Sequence, residues 1–405
     1  MRHRKWYDTV SNMDSPMPPG VGSADMDDPL HNRPAERPVR AGVPRRGLLL
    51  GLMAAACAAG AVGAVAARAL QSRLSPAADD PSLADWRTFQ DRFVTPEGRV
   101  VDTGNHGVTH SEGQGYGMLF AEHFGDRESL DRLHAWTQQN LKRPDDALHA
   151  WRYRPNVAVP VDDPNNAADG DLLIALALLR AGQRWGSTAY TDAAGCIGAD
   201  LLRNCVREVG GGVVLLPAAF GFEHPGRVII NPSYYVFPAL AALADVVPDP
   251  LWERLQADGL RILRRASFGQ WRLPADWLEI AHGSLDHLAP AKGWPARFSW
   301  DAVRVPLNLA WAGLTDEPSL AAAAEFWTDP ERSQLPAWVD LSSGAFAPFA
   351  ASAGVGAIAQ VARATRPGAT TPDLPHVGAA DDYYSAALVL LSRVVWQERG
   401  GVSAA

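Results

Sequence analysis

The chain has 405 residues, enough for one large domain or two ordinary ones, and 47% of them are hydrophobic, ample for a core. A formal net charge of -8 excludes the basic surface on which nucleic-acid binding depends. Fourteen tryptophans suit stacking on the apolar faces of sugar rings, but they also suit core filling, so their number does not choose between the two.

Residues 1–44 are polar, proline-bearing and unpatterned, which predicts a disordered tail. Arg45-Arg46-Gly47-Leu48-Leu49-Leu50 then opens an apolar run that reaches Ala67. Over 45–69 this resembles a twin-arginine export signal, although Pro44 stands where a polar residue is usual. Ala64-Val65-Ala66 and Ala66-Ala67-Arg68 offer small residues for cleavage. The rival is an uncleaved membrane anchor, because the run is long enough to span a bilayer. Lipoprotein processing at Cys57 is a third option, with Ala54 a poor match where Leu is expected. Residues 70–81 read as a linker and 82–400 as the folded domain.

Ser82 with Asp85 reads as a helix-capping pair, and Trp86, Phe89 and Phe93 follow at helical spacing. After a turn at Pro96-Glu97-Gly98, an extended stretch leads to Ser111-Glu112-Gly113-Gln114-Gly115-Tyr116-Gly117. A carboxylate among glycines, with an apolar run from Met118 to Phe124 behind it, places Glu112 at a helix end facing a concave site. A glycine-rich turn with a capping acid is the plainer alternative. The glycine spacing is no nucleotide signature, because no strand or βαβ context precedes it. His106 and His110 flank the stretch without a third metal ligand.

Leu130, Leu133, Trp136 and Leu141 mark an amphipathic helix, and Trp151-Arg152-Tyr153 a loop. Asp171 to Arg184 is almost wholly apolar and predicts a helix buried on most sides. Ala194, Ile197, Leu201 and Cys205 share one face of the next helix. Cys196 and Cys205 are nine positions apart along it, about 13 Å of rise. A disulfide needs Cα atoms within about 7 Å, so both are expected to be free thiols used in packing. Val213 to Leu216 and Val228 to Ile230 suggest a short hairpin, closed by Asn231-Pro232-Ser233-Tyr234-Tyr235. Helical patterns resume at 238–246 and 251–266, and Pro274-Ala275-Asp276-Trp277 reads as a loop. Further helices are expected after Asp301 and at 319–326, 356–364 and 381–398. The pattern is all-α, in a single large domain with no solenoid repeat.

Three stretches carry chemistry: Ser111 to Met118, Ala167-Ala168-Asp169-Gly170-Asp171, and Ser299-Trp300-Asp301-Ala302-Val303-Arg304-Val305-Pro306. In that order they resemble glycoside hydrolase family 8, and within it the endo-β-1,4-glucanases that accompany bacterial cellulose synthases. The likeness runs from about Trp86 to the last helix, with Ala168 standing where the family usually has Ser or Thr. It implies an (α/α)6 barrel of six inner and six outer helices with a cleft across one end.

Glycosidic hydrolysis needs one carboxylic acid to protonate the leaving oxygen and, in inverting enzymes, a second carboxylate to activate water from the opposite face. The resemblance makes Glu112 the acid and Asp301 the base. Asp169 matches the aspartate that the family signature marks as an active-site residue. Inverting chemistry has no covalent intermediate, so Asp169 is read as gripping and distorting the central sugar or tuning Glu112, with Asp171 as its helix-cap or neighbour. Arg304 is expected to hold Asp301 ionised or to grip a hydroxyl. Trp151, Tyr234, Trp277, Trp300 and Tyr384 are the candidate sugar platforms. No metal or organic cofactor is implied. The expected partners are β-1,4-glucan chains and the cellulose synthase machinery. Alternatives are the same fold acting on chitosan, lichenan or xylan, and a catalytically silent glycan-binding accessory, which retention of all three carboxylates argues against.

Overall fold

A computed structural model describes residues 81–329 and 334–400. The expected tail and export segment lie outside the described residues, as do Cys57 and the linker as far as residue 80, while Pro81, assigned to the linker, opens the first helix. Eleven α-helices are present among the described residues. They are α1 (Pro81–Phe93), α2 (Ser111–His123), α3 (Arg127–Asn140), α4 (Ala168–Trp185), α5 (Thr188–Cys205) and α6 (Phe237–Val246). Then come α7 (Leu251–Arg265), α8 (Arg304–Trp311), α9 (Pro318–Trp327), α10 (Ala353–Ala364) and α11 (Tyr383–Glu398).

Each inner helix packs on the next, in the ring α2–α4–α6–α8–α10–α11 and back to α2. The outer helices seat on that ring: α1 on α11, α3 on α2, α5 on α4 and α6, α7 on α6, and α9 on α8 and α10. The chain is therefore an (α/α)6 barrel. Between α10 and α11, where a sixth outer helix would lie, the described chain has a single 3-10 turn at Val377–Ala379, packed on α1 and α11. Burial follows the layers. All eight residues of α8 are buried, whereas the outer α3 buries only Ser129, Leu130, Leu133 and Thr137. No helix among the described residues is long and apolar enough to cross a membrane.

The glycines after Glu112 serve helix packing. The helix begins at Ser111, seven residues before the expected apolar start, so Gly113, Gly115 and Gly117 are helical and do not form a glycine-rich turn. A Cβ on Gly115 would come within 2.6 Å of Leu173 in α4, and one on Gly170 within 2.7 Å of the Glu112 amide nitrogen. Without those methyl groups α2 and α4 approach closely at their N-termini, which sets Glu112 beside Asp169.

The β structure differs from expectation. Val213 to Leu215 pairs with Val206–Val209 and not with residues 228–230. Gly210 and Gly211, at φ of 58° and 80°, form the two-residue turn that joins those strands. These strands are β3 (Val206–Val209) and β4 (Gly212–Leu215). Arg227–Ile230 (β6) instead lies between β5 (Glu223–His224) and β7 (Leu278–Ala281), with β8 (Leu288–Pro290) beyond, in an antiparallel four-stranded sheet. Two short ladders complete the set: β1 (Thr109–His110) with β2 (Arg152–Tyr153), and β9 (Arg297–Phe298) with β10 (Val339–Asp340). Strands β1, β6 and β9 run directly into the segments that begin α2, α6 and α8.

Ser82 and Asp85 are engaged by residues far along the chain. Asp85 accepts from the Val377 amide and pairs with Arg393 at 3.0 Å, while Ser82 accepts from Gln397 at 3.0 Å, so both tie α1 to the C-terminal part of the barrel. The cysteines are free, as expected from a continuous α5; Cys205 is buried, but Cys196 is exposed and is not a packing residue.

Candidate active site

The N-termini of the inner helices meet at one end of the barrel, where helix dipoles favour anions. Glu112 lies in the first turn of α2 and Asp169 in the first turn of α4. Asp301 sits in a turn just ahead of α8, closed by a hydrogen bond from the Arg304 amide to the Asp301 carbonyl at 3.0 Å. That turn brings the two side chains together, with Arg304 Nη2 at 2.7 Å from Asp301 Oδ1. Arg304 Nη1 meets Glu112 Oε1 and lies 3.5 Å from Asp169 Oδ2. One guanidinium, 6% exposed, thus touches all three sequence-predicted carboxylates.

Charge is not balanced here. Burial raises Asp169 to about 7, and the neighbouring Asp171 charge adds to the rise. Burial, then the charges of Asp276 and Asp169, hold Asp301 well above the ordinary carboxylate range, while the polar side chains of Asn231 and Trp277 oppose the rise. Arg304 is lowered by burial.

Several residues of this site were not singled out from sequence. Ser233 Oγ accepts from Arg304 Nη2 at 2.9 Å and is itself oriented by Asn231 Oδ1 at 2.7 Å. Tyr116 donates to Glu112 Oε1 at 3.3 Å. Asp276 lies under the Asp301 turn, where it accepts from the amides of Ser299 at 3.0 Å and Ala302 at 2.8 Å and from the Ser299 hydroxyl. Burial raises Asp276 to about 6. Only the helix spacing of Tyr116 from Glu112 was available as a signal; the others come from loops far apart in the chain.

The aromatic candidates separate into classes. Trp151 is half-buried, with the Arg152 guanidinium 4.4 Å from its ring centre and His110 5.9 Å away, and its indole N–H donates to Asp163 at 2.8 Å. Tyr234 is half-buried in a 3-10 turn (Pro232–Tyr234) rather than a loop, with Arg304 6.0 Å from its ring. Trp300 and Tyr384 meet edge to face at 6.4 Å, and Tyr384 donates to the Trp300 carbonyl at 2.5 Å, which ties α11 to the Asp301 turn. Trp277 stacks with both Phe222 at 5.8 Å and Trp294 at 5.4 Å and is 9% exposed, so it fills the core and is no open platform. Tyr383 is likewise buried, against Phe89 and Phe93. Asp171 does not cap α4: its carboxylate is turned to His149 and Asn166. Among the described residues no group of His, Cys, Asp or Glu is arranged to hold a metal ion.

Comparison with known proteins agrees with this geometry. The family described as "Glycosyl hydrolases family 8" matches residues 54–398. The chain is 45% identical over 314 residues to a protein named "Probable endoglucanase" from Novacetimonas hansenii, covering 78% of this chain and 90% of that one. It is 39% identical over 275 residues to an "Endoglucanase" from Cellulomonas uda, covering 67% and 75%. Among solved structures, the endo-beta-1,4-glucanase CMCax from Acetobacter xylinum superposes with a TM-score of 0.75 at 44% identity, covering 79% of this chain and 99% of that one. With a family match over most of its length and an (α/α)6 barrel carrying three carboxylates at one end, the chain belongs to glycosyl hydrolase family 8.

Proposed function

We propose that this protein cuts internal β-1,4 bonds of single glucan chains by inversion, with Glu112 as general acid and Asp301 as general base. The observation that carries the assignment is the convergence of Glu112, Asp169 and Asp301 on Arg304. Glu112 donates a proton to the leaving oxygen. Asp301, held by Arg304 and by the turn over Asp276, takes a proton from the water that attacks the anomeric carbon. Asp169 stays on the Glu112 side of the guanidinium and grips the central sugar, with Tyr234 and Trp151 as apolar contacts for the rings. Trp300 and Tyr384 contribute the edge of the cleft beside Asp301.

Stereochemistry tests this division of labour. An inverting enzyme gives an α-configured first product from a β-linked chain, visible by NMR before mutarotation. Azide should restore activity to Asp301→Ala, since a small anion can occupy the position of the attacking water, and it should not rescue Asp169→Asn. A β-configured first product, or a glycosyl adduct on Asp169, makes Asp169 a nucleophile instead.

We place the enzyme outside the cytoplasm, exported through the Arg45-Arg46 segment, with the cellulose synthase machinery as a partner. Replacing Arg45 and Arg46 together by Lys should strand it in the cytoplasm; export equal to wild type rejects the twin-arginine route. Co-purification with the synthase tests the partner.

A further inference from the structure

Asp169 and Asp171 lie two residues apart in the first turn of α4 and face different surroundings. Asp171 is fully buried, yet no arginine or lysine pairs with it among the ion pairs of the described residues. Its Oδ1 accepts from the His149 amide at 3.0 Å and from His149 Nδ1 at 2.9 Å, and its Oδ2 accepts from Asn166 Nδ2 at 3.0 Å. His149 is also fully buried. Its Nε2 faces the Gln138 side-chain amide at 3.0 Å. The imidazole is thereby held between an outer helix and an inner one.

The segment that follows His149 reaches the cleft within two residues. Ala150 bridges to Asn166, and the Trp151 amide donates to the Asn165 carbonyl at 2.9 Å. The Trp151 carbonyl accepts from the Ser111 amide at 3.0 Å, one residue before Glu112. A short run of backbone thus has Asp171 at one end and the first residue of the Glu112 helix at the other.

We propose that the His149–Asp171 pair is a positioning device: it fixes the 149–151 segment, and through it Trp151 and the start of α2, against the Asp169 end of α4. A buried carboxyl group held by three donors tolerates little displacement, because a lost donor leaves a polar group unsatisfied in the interior. That intolerance is suited to holding Glu112 and Asp169 in register across two helices. The inference rests on the roles proposed above for Glu112 and Asp169.

The test compares His149→Asn and His149→Gln on a soluble cello-oligosaccharide, with melting temperatures measured alongside. The Asn amide can stand in for Nδ1 and donate to Asp171; the Gln amide reaches the Nε2 position and leaves Asp171 short of a donor. His149→Gln should lower kcat by about 10- to 100-fold, the scale of a misplacement of about 1 Å, with KM within about threefold of wild type. His149→Asn should keep kcat within about threefold. Equal losses in the two variants that follow their melting temperatures, wild-type kcat in His149→Gln, or a loss confined to KM would overturn the proposal. Glu112→Gln is assayed beside them. If it retains wild-type turnover, the catalytic assignment has failed and this inference falls with it; if it is inactive while His149→Gln is fully active, the positioning role alone is wrong.

Discussion

The two ends of the barrel hold charged clusters built on the same inner helices, and they differ in balance. At the cleft end, the N-terminal turns of α2 and α4 and the entry to α8 bring Glu112, Asp169 and Asp301 to the single cation Arg304. At the other end, near the C-termini, Glu398 of α11 pairs with Arg180 of α4 at 2.5 Å and His123 of α2 at 3.4 Å, and accepts from the Trp311 indole of α8 at 2.6 Å. Arg184 pairs with Glu122 at 3.3 Å beside it. Cations there also suit the helix C-termini. Burial alone would raise Glu398, but His123 and Arg180 pull it down to about 2, whereas Asp169 rises to about 7. Glu122 is the exception, since burial outweighs its arginines and raises it. Compensated charge holds the helices together, and uncompensated charge leaves carboxyl groups able to exchange protons with a substrate.

The largest test of this contrast uses the two ends of α2. Glu112→Gln should lower turnover by at least about 10²- to 10⁴-fold with KM little changed, the usual range for a lost general acid. Glu122→Gln, ten residues along the same helix, should leave the turnover of folded protein within about twofold. Comparable losses in both would mean that the two clusters are not functionally distinct.

Glu398→Gln should reduce stability and spare catalysis. The folded carboxyl, at about 2, lies below the ordinary 4.5, so its contribution is fully present above 4.5 and is lost as pH falls through 2. A shift of that size is worth about 3 kcal/mol. Thermal unfolding at neutral pH should show the loss, and at pH 2 the variant and wild type should converge.

Asp169→Asn should act in the opposite sense. Its folded carboxyl lies above the ordinary 3.8, so the folded state holds more protons than the unfolded one between 3.8 and about 7, and stability falls as pH rises through that window. The substitution should abolish most activity yet raise the melting temperature at pH 7.5, with the gain disappearing below pH 3.8. A lowered melting temperature at pH 7.5 would place Asp169 among the compensated groups.

The smallest expected effect is a shift in a pH profile. Asp276 raises Asp301, together with burial and the charge of Asp169, while Arg304, Asn231 and Trp277 are the other polar groups against it. Asp276→Asn keeps an acceptor for the Ser299 and Ala302 amides and removes the charge. The acid limb of kcat/KM should move to lower pH, and an unmoved limb would remove Asp301 from the titration that controls activity.

Much of this was legible in the chain itself. Helical spacing identified Trp86, Phe89 and Phe93 as core, and the apolar run after Asp171 as a buried helix, because burial on one side or all round writes its period into the residues. The family resemblance singled out Glu112, Asp169, Asp301 and Arg304, whose local signals alone fit a glycine-rich turn, a capping acid or an ion-paired helix start equally well. Local sequence did not disclose partners across elements. Ser82 and Asp85 fit a capping pattern, yet their side chains are taken by Arg393, Gln397 and the Val377 amide, hundreds of positions away. Val213 to Leu216 read as one strand of a hairpin with 228–230, but its mate was set by the two-glycine turn before it.

What the sequence determined by itself is the set of helices, their buried faces and the carboxylates at their starts, since these depend on contacts within a few residues. What only the tertiary structure decided is which of those groups share one cation. The meeting of Glu112, Asp169 and Asp301 at Arg304, the place of Asp276 under the base, and the turning of Asp171 to His149 all depend on how closely α2, α4 and α8 approach. That approach is set by the missing methyl groups at Gly115 and Gly170 and by ring closure of the barrel, which no local pattern encodes.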